Sequence, residues 1–260
     1  MNPVFGSPVL ARVLADAAFG AAVCFCCVAA RAVAAEGGAG FERSSFVEKV
    51  GGREIACELA VGDSAFLRVV AAPDIDGDGP GVSSLVDPAV TAEKAGLAVA
   101  VNANAFRKPD RNDRVWSRGG PAIPYGEVVS SGVYLAGCEQ KRLMFWVDST
   151  NVCHIGRNPD FATVREGVSD WGGYFLRNGE TDPRAETKPY PRSIVGHDAS
   201  RRKVFLLVGE MSFVEAAEIL KRHGATDAMN LDGGGSAIMV PPAKPGYRRP
   251  VPVLIGFAKE

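Results

Sequence analysis

The sequence predicts an α+β fold, with mixed or antiparallel β-sheets and few helices around a large core. Three observations carry that prediction. Short apolar or alternating runs, bounded by Gly, Pro, Asp and Ser, recur along most of the chain, which is how strands read. Only one long segment shows helical spacing, from residue 213 to 223. Of 260 residues, 47% are hydrophobic, enough to fill one large domain or two small ones.

The elements follow in chain order. Arg12 precedes an uncharged stretch from Ala17 to Ala30, and Ala32-Val33-Ala34 then gives an A-x-A pattern. This reads as a secretory signal peptide spanning about 1–35, cleaved after Ala34 or Ala35. The apolar run is too short to span a bilayer, so no membrane span is expected after cleavage. An uncleaved N-terminal anchor is the alternative. Residues 36–45 read as a linker, which with N-terminal strands makes up 36–59; the main domain is expected over 60–258. Arg53 to Leu59 alternates, and Phe66 to Val70 is apolar, so both read as strands. Residues 73–81 form a Pro/Gly/Asp loop. Val90 to Gly96 reads as a short helix, followed by a strand at 97–101. A polar loop covers 107–121, and strands recur at 127–135, 143–147, 173–176 and 203–208. Ser212 with Glu215 three residues on is a capping-box pattern. Phe213, Ala216, Ala217 and Leu220 fall on one helical face, and Gly224 ends the helix.

Several function classes are excluded. A net charge of −1 offers no basic surface for nucleic acid. There is no G-x-G-x-x-G and no G-x-x-x-x-G-K-[ST], hence no nucleotide cradle. Three of the six cysteines lie in the leader. Of the others, Cys138 and Cys153 flank a strand-like run and could meet across a hairpin; the alternative is three buried thiols, with Cys57 the third. Asp74, Asp76 and Asp78, followed by Gly79, open like a calcium loop. Leu85 stands where an EF-hand needs Glu. No cofactor is required, although this stretch would suit a divalent cation such as calcium; a plain acidic turn is the alternative.

The most informative run is Asn230-Leu231-Asp232-Gly233-Gly234-Gly235-Ser236, set between the apolar stretches Ala228-Met229 and Ala237 to Val240. Three glycines between strand-like segments carry an entropic cost, tolerated where backbone turns sharply or approaches something closely. A ligand there would meet a carboxylate, backbone N–H groups and a hydroxyl. Gly234-Gly235-Ser236-Ala237-Ile238 lacks the last glycine of a nucleophile elbow, which argues against a serine hydrolase.

This run, the helix from Ser212, Pro191-Arg192-Ser193 with Gly196, and the strand from Leu97 into Asn102-Ala103-Asn104-Ala105-Phe106 together resemble the phosphodiester glycosidase family. Residues 124–132 and 173–179 add weaker similarity, and the resemblance spans roughly 60–258. The chain departs from the family pattern in three places. Val208-Gly209-Glu210-Met211 runs straight into the helix, Ala103 replaces a glycine, and Ser193 replaces a threonine.

The resemblance implies an exported hydrolase acting on a sugar-1-phosphodiester, with a sugar phosphate or phosphoglycan as partner. Asp232 would stabilise positive charge at the anomeric carbon. Arg192 would pair with the phosphate through its planar fork, unless it only salt-bridges a surface carboxylate. Gly233, Gly234, Gly235 and Ser236 would hold sugar or phosphate oxygens, with Ser193 beside them. Asn102 and Asn104 would contact sugar hydroxyls, unless Asn102 is a turn former. His197 would carry a proton or be structural, and Glu210 would stand in as a second carboxylate. Trp116, Tyr125 and Trp171 would stack on a sugar or lie in the core. The competing classes are a non-catalytic envelope or extracellular module that binds phosphorylated glycans, and a purely structural partner domain.

Overall fold

The computed structural model describes residues 34–38, 40–72, 82–110, 115–138, 142–170, 173–242 and 249–259. Trp171 and Asp74, Asp76 and Asp78 lie outside these residues, as does nearly all of the expected signal peptide.

The largest sheet has eight strands. In spatial order they are Ala34–Gly38, Phe41–Val50, Arg53–Asp63, Lys203–Met211, Tyr190–Asp198, Ala225–Asn230, Tyr174–Arg177 and Glu180–Thr181. A five-stranded sheet runs Val133–Cys138, Gly126–Ser130, Val164–Asp170, Leu143–Asp148, Cys153–Gly156. A four-stranded sheet runs Met239–Val240, Leu97–Asn102, Val253–Ala258, Leu67–Ala71, and three short strands make a fourth sheet. Of the two expected patterns, mixed or antiparallel, every described pairing is antiparallel.

Strand alternation explains the layering. On Lys203–Met211, Val204 and Leu206 point to one side and Phe205 and Leu207 to the other, and all four are buried. A strand covered on both faces reads as a continuous apolar run, as this one does. Val204 and Leu206 join the central core, where Val195 and Met229 meet Leu67, Val101, Ile255 and Phe257 of the four-stranded sheet and Phe145, Val147 and Val168 of the five-stranded one. Phe205 and Leu207 face the opposite way, onto Ala216, Ala217, Ile219 and Leu220 of the helix Phe213–Arg222. That helix carries the expected capping box, with Glu215 N–H donating to Ser212 Oγ at 3.2 Å and Ser212 N–H to Glu215 Oε2 at 2.7 Å. The second helix, Pro88–Lys94, starts at Asp87 and covers the outer face of the four-stranded sheet. No helix among the described residues is long and apolar enough to cross a membrane.

Four expectations are corrected. The linker at 36–45 is instead sheet: Ala34–Gly38 pairs with Phe41–Val50, which turns at Gly51-Gly52 into Arg53–Asp63. Both glycines have positive φ, the conformation a tight hairpin needs. The single strand at 127–135 is a hairpin that turns at Ser131-Gly132, again with both φ positive. The strand expected at 237–240 shortens to Met239–Val240, because Gly234–Ser236 coils into a 3₁₀ turn. The hairpin disulfide does not form, because the strands that carry Cys138 and Cys153 lie at opposite edges of the five-stranded sheet. Cys153 and Cys57 are free buried thiols.

Candidate active site

Asp232 lies two residues past the end of the strand Ala225–Asn230, where the eight- and four-stranded sheets meet. Backbone bonds fix its place. Leu231 N–H donates to Ser193 O at 2.8 Å and Asp232 N–H to Ala103 O at 2.8 Å. Asn102 locks the junction: its Nδ2 donates to Asp232 O at 2.7 Å, and its Oδ1 accepts from Ser193 Oγ at 2.6 Å and from Ile238 N–H at 3.1 Å. One amide, 1% exposed, thus ties three chain segments around the glycines. Asn102 and Ser193 hold the scaffold in this arrangement instead of reaching toward a ligand.

The turn itself is packed closely. Gly234 has φ 61°, and a Cβ there would fall 2.4 Å from Tyr190 Oη. A Cβ at Gly235 would fall 2.7 Å from Arg249 Nη2 and 2.9 Å from its Cζ, so the guanidinium lies against bare backbone. Arg249 also sits over the Trp116 ring, with Cζ 5.5 Å from its centroid. One of the expected groups is used inside the turn, since Ser236 N–H donates to Gly233 O, and Ala237 N–H likewise donates to Gly234 O.

Burial pushes the Asp232 carboxyl up to about 6, and the negative charge of Asp170 adds to the rise. Ser236, Arg249 and the Gly233 N–H pull the other way. The Ser236 Oγ is buried and has no hydrogen-bond partner of normal geometry among the described residues. Asp170 is 2% exposed and accepts from Asn230 Nδ2 at 2.9 Å. Two carboxyl groups and one guanidinium therefore converge electrostatically on the glycine turn. This is the kind of perturbed, partly enclosed cluster that marks a reactive site.

Other expected residues lie elsewhere. Arg192 neighbours Ser193 in the strand and so points to the opposite face, since adjacent side chains alternate. There it pairs with Glu186, donates to Met211 O at 3.4 Å and lies over the Phe213 ring at 3.9 Å. Its charge is already partnered under the helix, as the salt-bridge alternative anticipated. His197 is four residues from Ser193, roughly 13 Å along a strand. It is buried, which lowers its proton affinity, and its Nδ1 lies 2.9 Å from Asp198 O. Asn104 donates to Tyr125 O at 2.8 Å and Glu127 O at 3.2 Å, and its buried Oδ1 has no partner among the described residues. Glu210 is exposed, opposite Pro191 in register; the carboxylate that acts on Asp232 is Asp170. Arg142 covers the half-buried Tyr125 ring at 5.3 Å. Among the described residues no group of three His, Cys, Asp or Glu is placed to share a metal ion.

Sequence reasoning missed Arg249, Asp170 and Tyr190. No pattern in the sequence links Arg249 to the glycine run; the link appears only in the structure, where a Cβ at Gly235 would meet its guanidinium. Nothing in the polar run around Asp170 marks it in advance.

The phosphodiester glycosidase family model matches residues 95–258. No curated protein matches the chain. Among solved structures, the chain is similar to the catalytic domain of zebrafish N-acetylglucosamine-1-phosphodiester alpha-N-acetylglucosaminidase, auto-inhibited by its pro-peptide. The TM-score is 0.63 at 18% identity, covering 85% of this chain and 84% of that one. A hypothetical protein from Synechocystis gives 0.53 at 15% identity, covering 84% and 62%. A protein from Burkholderia pseudomallei K96243, classed provisionally as exported, gives 0.53 at 12% identity, covering 79% and 74%. At these identities the structural likeness speaks to the fold. With the family match spanning well over half of the sequence, the chain belongs to the phosphodiester glycosidase family.

Proposed function

We propose that the protein is an exported hydrolase that cleaves the glycosidic C–O bond of a sugar-1-phosphodiester in a glycan. The observation that carries this reading is the placement of Asp232 at the glycine turn, pinned by Asn102 and Ala103 with the Arg249 guanidinium against the same turn; burial there raises its proton affinity to about 6. Near neutral pH it is mostly ionised yet poorly solvated, the state best suited to stabilising a cation. The C1–O bond breaks with its electron pair leaving on the phosphate oxygen. Positive charge develops at C1 and is stabilised by ionised Asp232. Water then adds to C1 and gives up a proton. A phosphate ester leaves readily, so no strong general acid is needed. Asn102 and Ser193 act as positioning residues, since they hold the Asp232 backbone.

The zebrafish protein's name supplies the first substrate to try. Export is supported by the N-terminal leader pattern and by the provisional description of the Burkholderia relative. A calcium ion at Asp74, Asp76 and Asp78 stays a proposal, which a chelator tests. The second reading, a module that binds phosphorylated glycans without cleaving them, is favoured by one feature: Lys203–Met211 passes straight into the Ser212 cap, leaving no rim loop.

The test is hydrolysis of N-acetylglucosamine-1-(methyl phosphate) and related sugar-1-phosphodiesters in oxygen-18 water, wild type against Asp232→Asn, with and without chelator. Label in the freed sugar, lost in the variant, supports C–O cleavage by this site. Label in the phosphate means P–O cleavage and refutes the glycosidase reading. Tight binding of a phosphoglycan with no turnover favours the binding module.

A further inference from the structure

We propose that Arg249, laid against Gly235 and over Trp116, is the phosphate-binding group of this site. With the free N–H groups of Gly234 and Gly235 and the Ser236 hydroxyl, it would hold a singly charged phosphodiester. This rests on the hydrolase reading above and replaces Arg192 in the role first expected of it.

The two arginines differ in what already occupies them. Arg192 is paired with Glu186 and donates to Met211 O. Arg249 makes no hydrogen bond and no ion pair among the described residues, where it lies over the Trp116 ring and against the Gly235 backbone. Stacking on an aromatic ring orients a guanidinium while leaving its in-plane N–H edge open, and that edge matches a phosphate bidentately. Three further donors lie in the same turn. Ser236 Oγ is buried, in a residue 1% exposed, and faces the Asp232 carboxyl, whose proton affinity it lowers, at a geometry outside the usual hydrogen-bond range. The N–H groups of Gly234 and Gly235 donate to nothing among the described residues, unlike those of Ser236 and Ala237.

The charges also fit the bond being broken. The sugar becomes cationic and the phosphate stays anionic across one C–O bond. Asp232 and Arg249 are the carboxylate and guanidinium that interact at this turn. With sugar at Asp232 and phosphate at Arg249, each charge meets its opposite. Arg249 therefore discriminates: it should matter for a phosphodiester and hardly at all for a neutral glycoside.

The experiment compares kcat/KM on N-acetylglucosamine-1-(methyl phosphate) and on 4-nitrophenyl N-acetylglucosaminide, for wild type, Arg249→Ala, Arg249→Gln and Arg249→Lys. Loss of a charge-assisted bidentate contact should lower the phosphodiester rate about a hundredfold in the first two, and the neutral rate by less than about threefold. Lysine should recover only part of the loss, since it lacks the fork. Equal losses on both substrates, or no loss on the phosphodiester, overturn the proposal. Failure of the hydrolase reading looks different, because wild type then turns over neither substrate. The site is in that case titrated directly with inorganic phosphate and methyl phosphate by ³¹P NMR. Wild-type broadening that Arg249→Gln weakens by about tenfold supports the site; no wild-type broadening, or equal broadening in the variant, overturns it.

Discussion

Replacing Asp232 by Asn should stabilise the protein at neutral pH while destroying its activity. In the folded chain the carboxyl is held at about 6, mainly by burial. In the unfolded chain it titrates near about 3.9. Between those values the folded state keeps a proton that the unfolded state has released. Stability therefore falls as pH rises from about 4 to about 6, the sign opposite to that of a salt-bridged aspartate. At about 1.4 kcal/mol per pH unit the full gap is worth about 3 kcal/mol, an upper bound because the carboxyl is only partly enclosed. Asparagine has nearly the same shape and does not titrate.

The assay is urea unfolding of wild type and Asp232→Asn at half-unit steps from pH 4 to pH 8. Other titrating groups cancel in the difference between the two proteins. The variant should match wild type near pH 4 and exceed it by about 2 kcal/mol or more at pH 7. A difference that stays flat with pH, or a variant less stable at pH 7, would refute the argument that burial strains this carboxyl. The wild-type kcat/KM should rise through the same pH region, because ionised Asp232 is the working form. A rate that falls instead makes Asp232 a proton donor.

Three further outcomes are expected. Gly256→Ala places a Cβ 2.2 Å from Val99 O and 2.4 Å from Ala100 Cβ, across rigid sheet backbone; it should cost about 3 kcal/mol or more, read as a fall in the urea midpoint. Gly235→Ala meets only the end of the Arg249 side chain, which can swing aside, so the same melt should move by less than about 1 kcal/mol while phosphodiester turnover drops at least about tenfold. Asn102→Ala leaves Ser193 Oγ, Ile238 N–H and Asp232 O without their partner; it should cost about 3–5 kcal/mol in urea unfolding and lower kcat more than it raises KM.

Those effects separate the legible from the illegible in the sequence. The helix after Ser212 was legible because its signals are local: a cap, a face and a stop within a dozen residues. The strand Lys203–Met211 was legible because burial on both faces leaves an unbroken apolar run. Val164–Asp170 was not, because its buried positions include Glu166, Ser169 and Asp170. Glu166 accepts from Val69 N–H at 2.8 Å and Ser169 donates to Glu127 at 2.7 Å, so these polar residues are satisfied by distant segments that no local pattern reveals. The site shows the same divide. Asp232 and its glycines were visible as a motif. Asn102 was visible as a residue but not as a brace, because its partners lie about 90 to 136 positions away in sequence.

The glycine run also asks for a different explanation from the one its composition invites. Consecutive glycines read first as backbone freedom, but here only Gly234 of the three has a positive φ. At Gly233 a Cβ would meet Pro191 O at 2.7 Å, and at Gly235 it would meet Arg249. At Gly233 a backbone oxygen leaves no space for a side chain, whereas at Gly235 only the movable end of Arg249 stands in the way, so there the glycine lets the guanidinium lie close. The turn is therefore packed on one side by the Tyr190-Pro191 backbone and ring and against Arg249 at Gly235. That packing, with the Asn102 brace, lets a partly buried carboxyl persist at a stability cost. A flexible loop would let Asp232 relax toward water, and its proton affinity would return to the ordinary carboxylate range. The raised value and the three glycines thus share one cause, a turn held too closely for the carboxyl to escape.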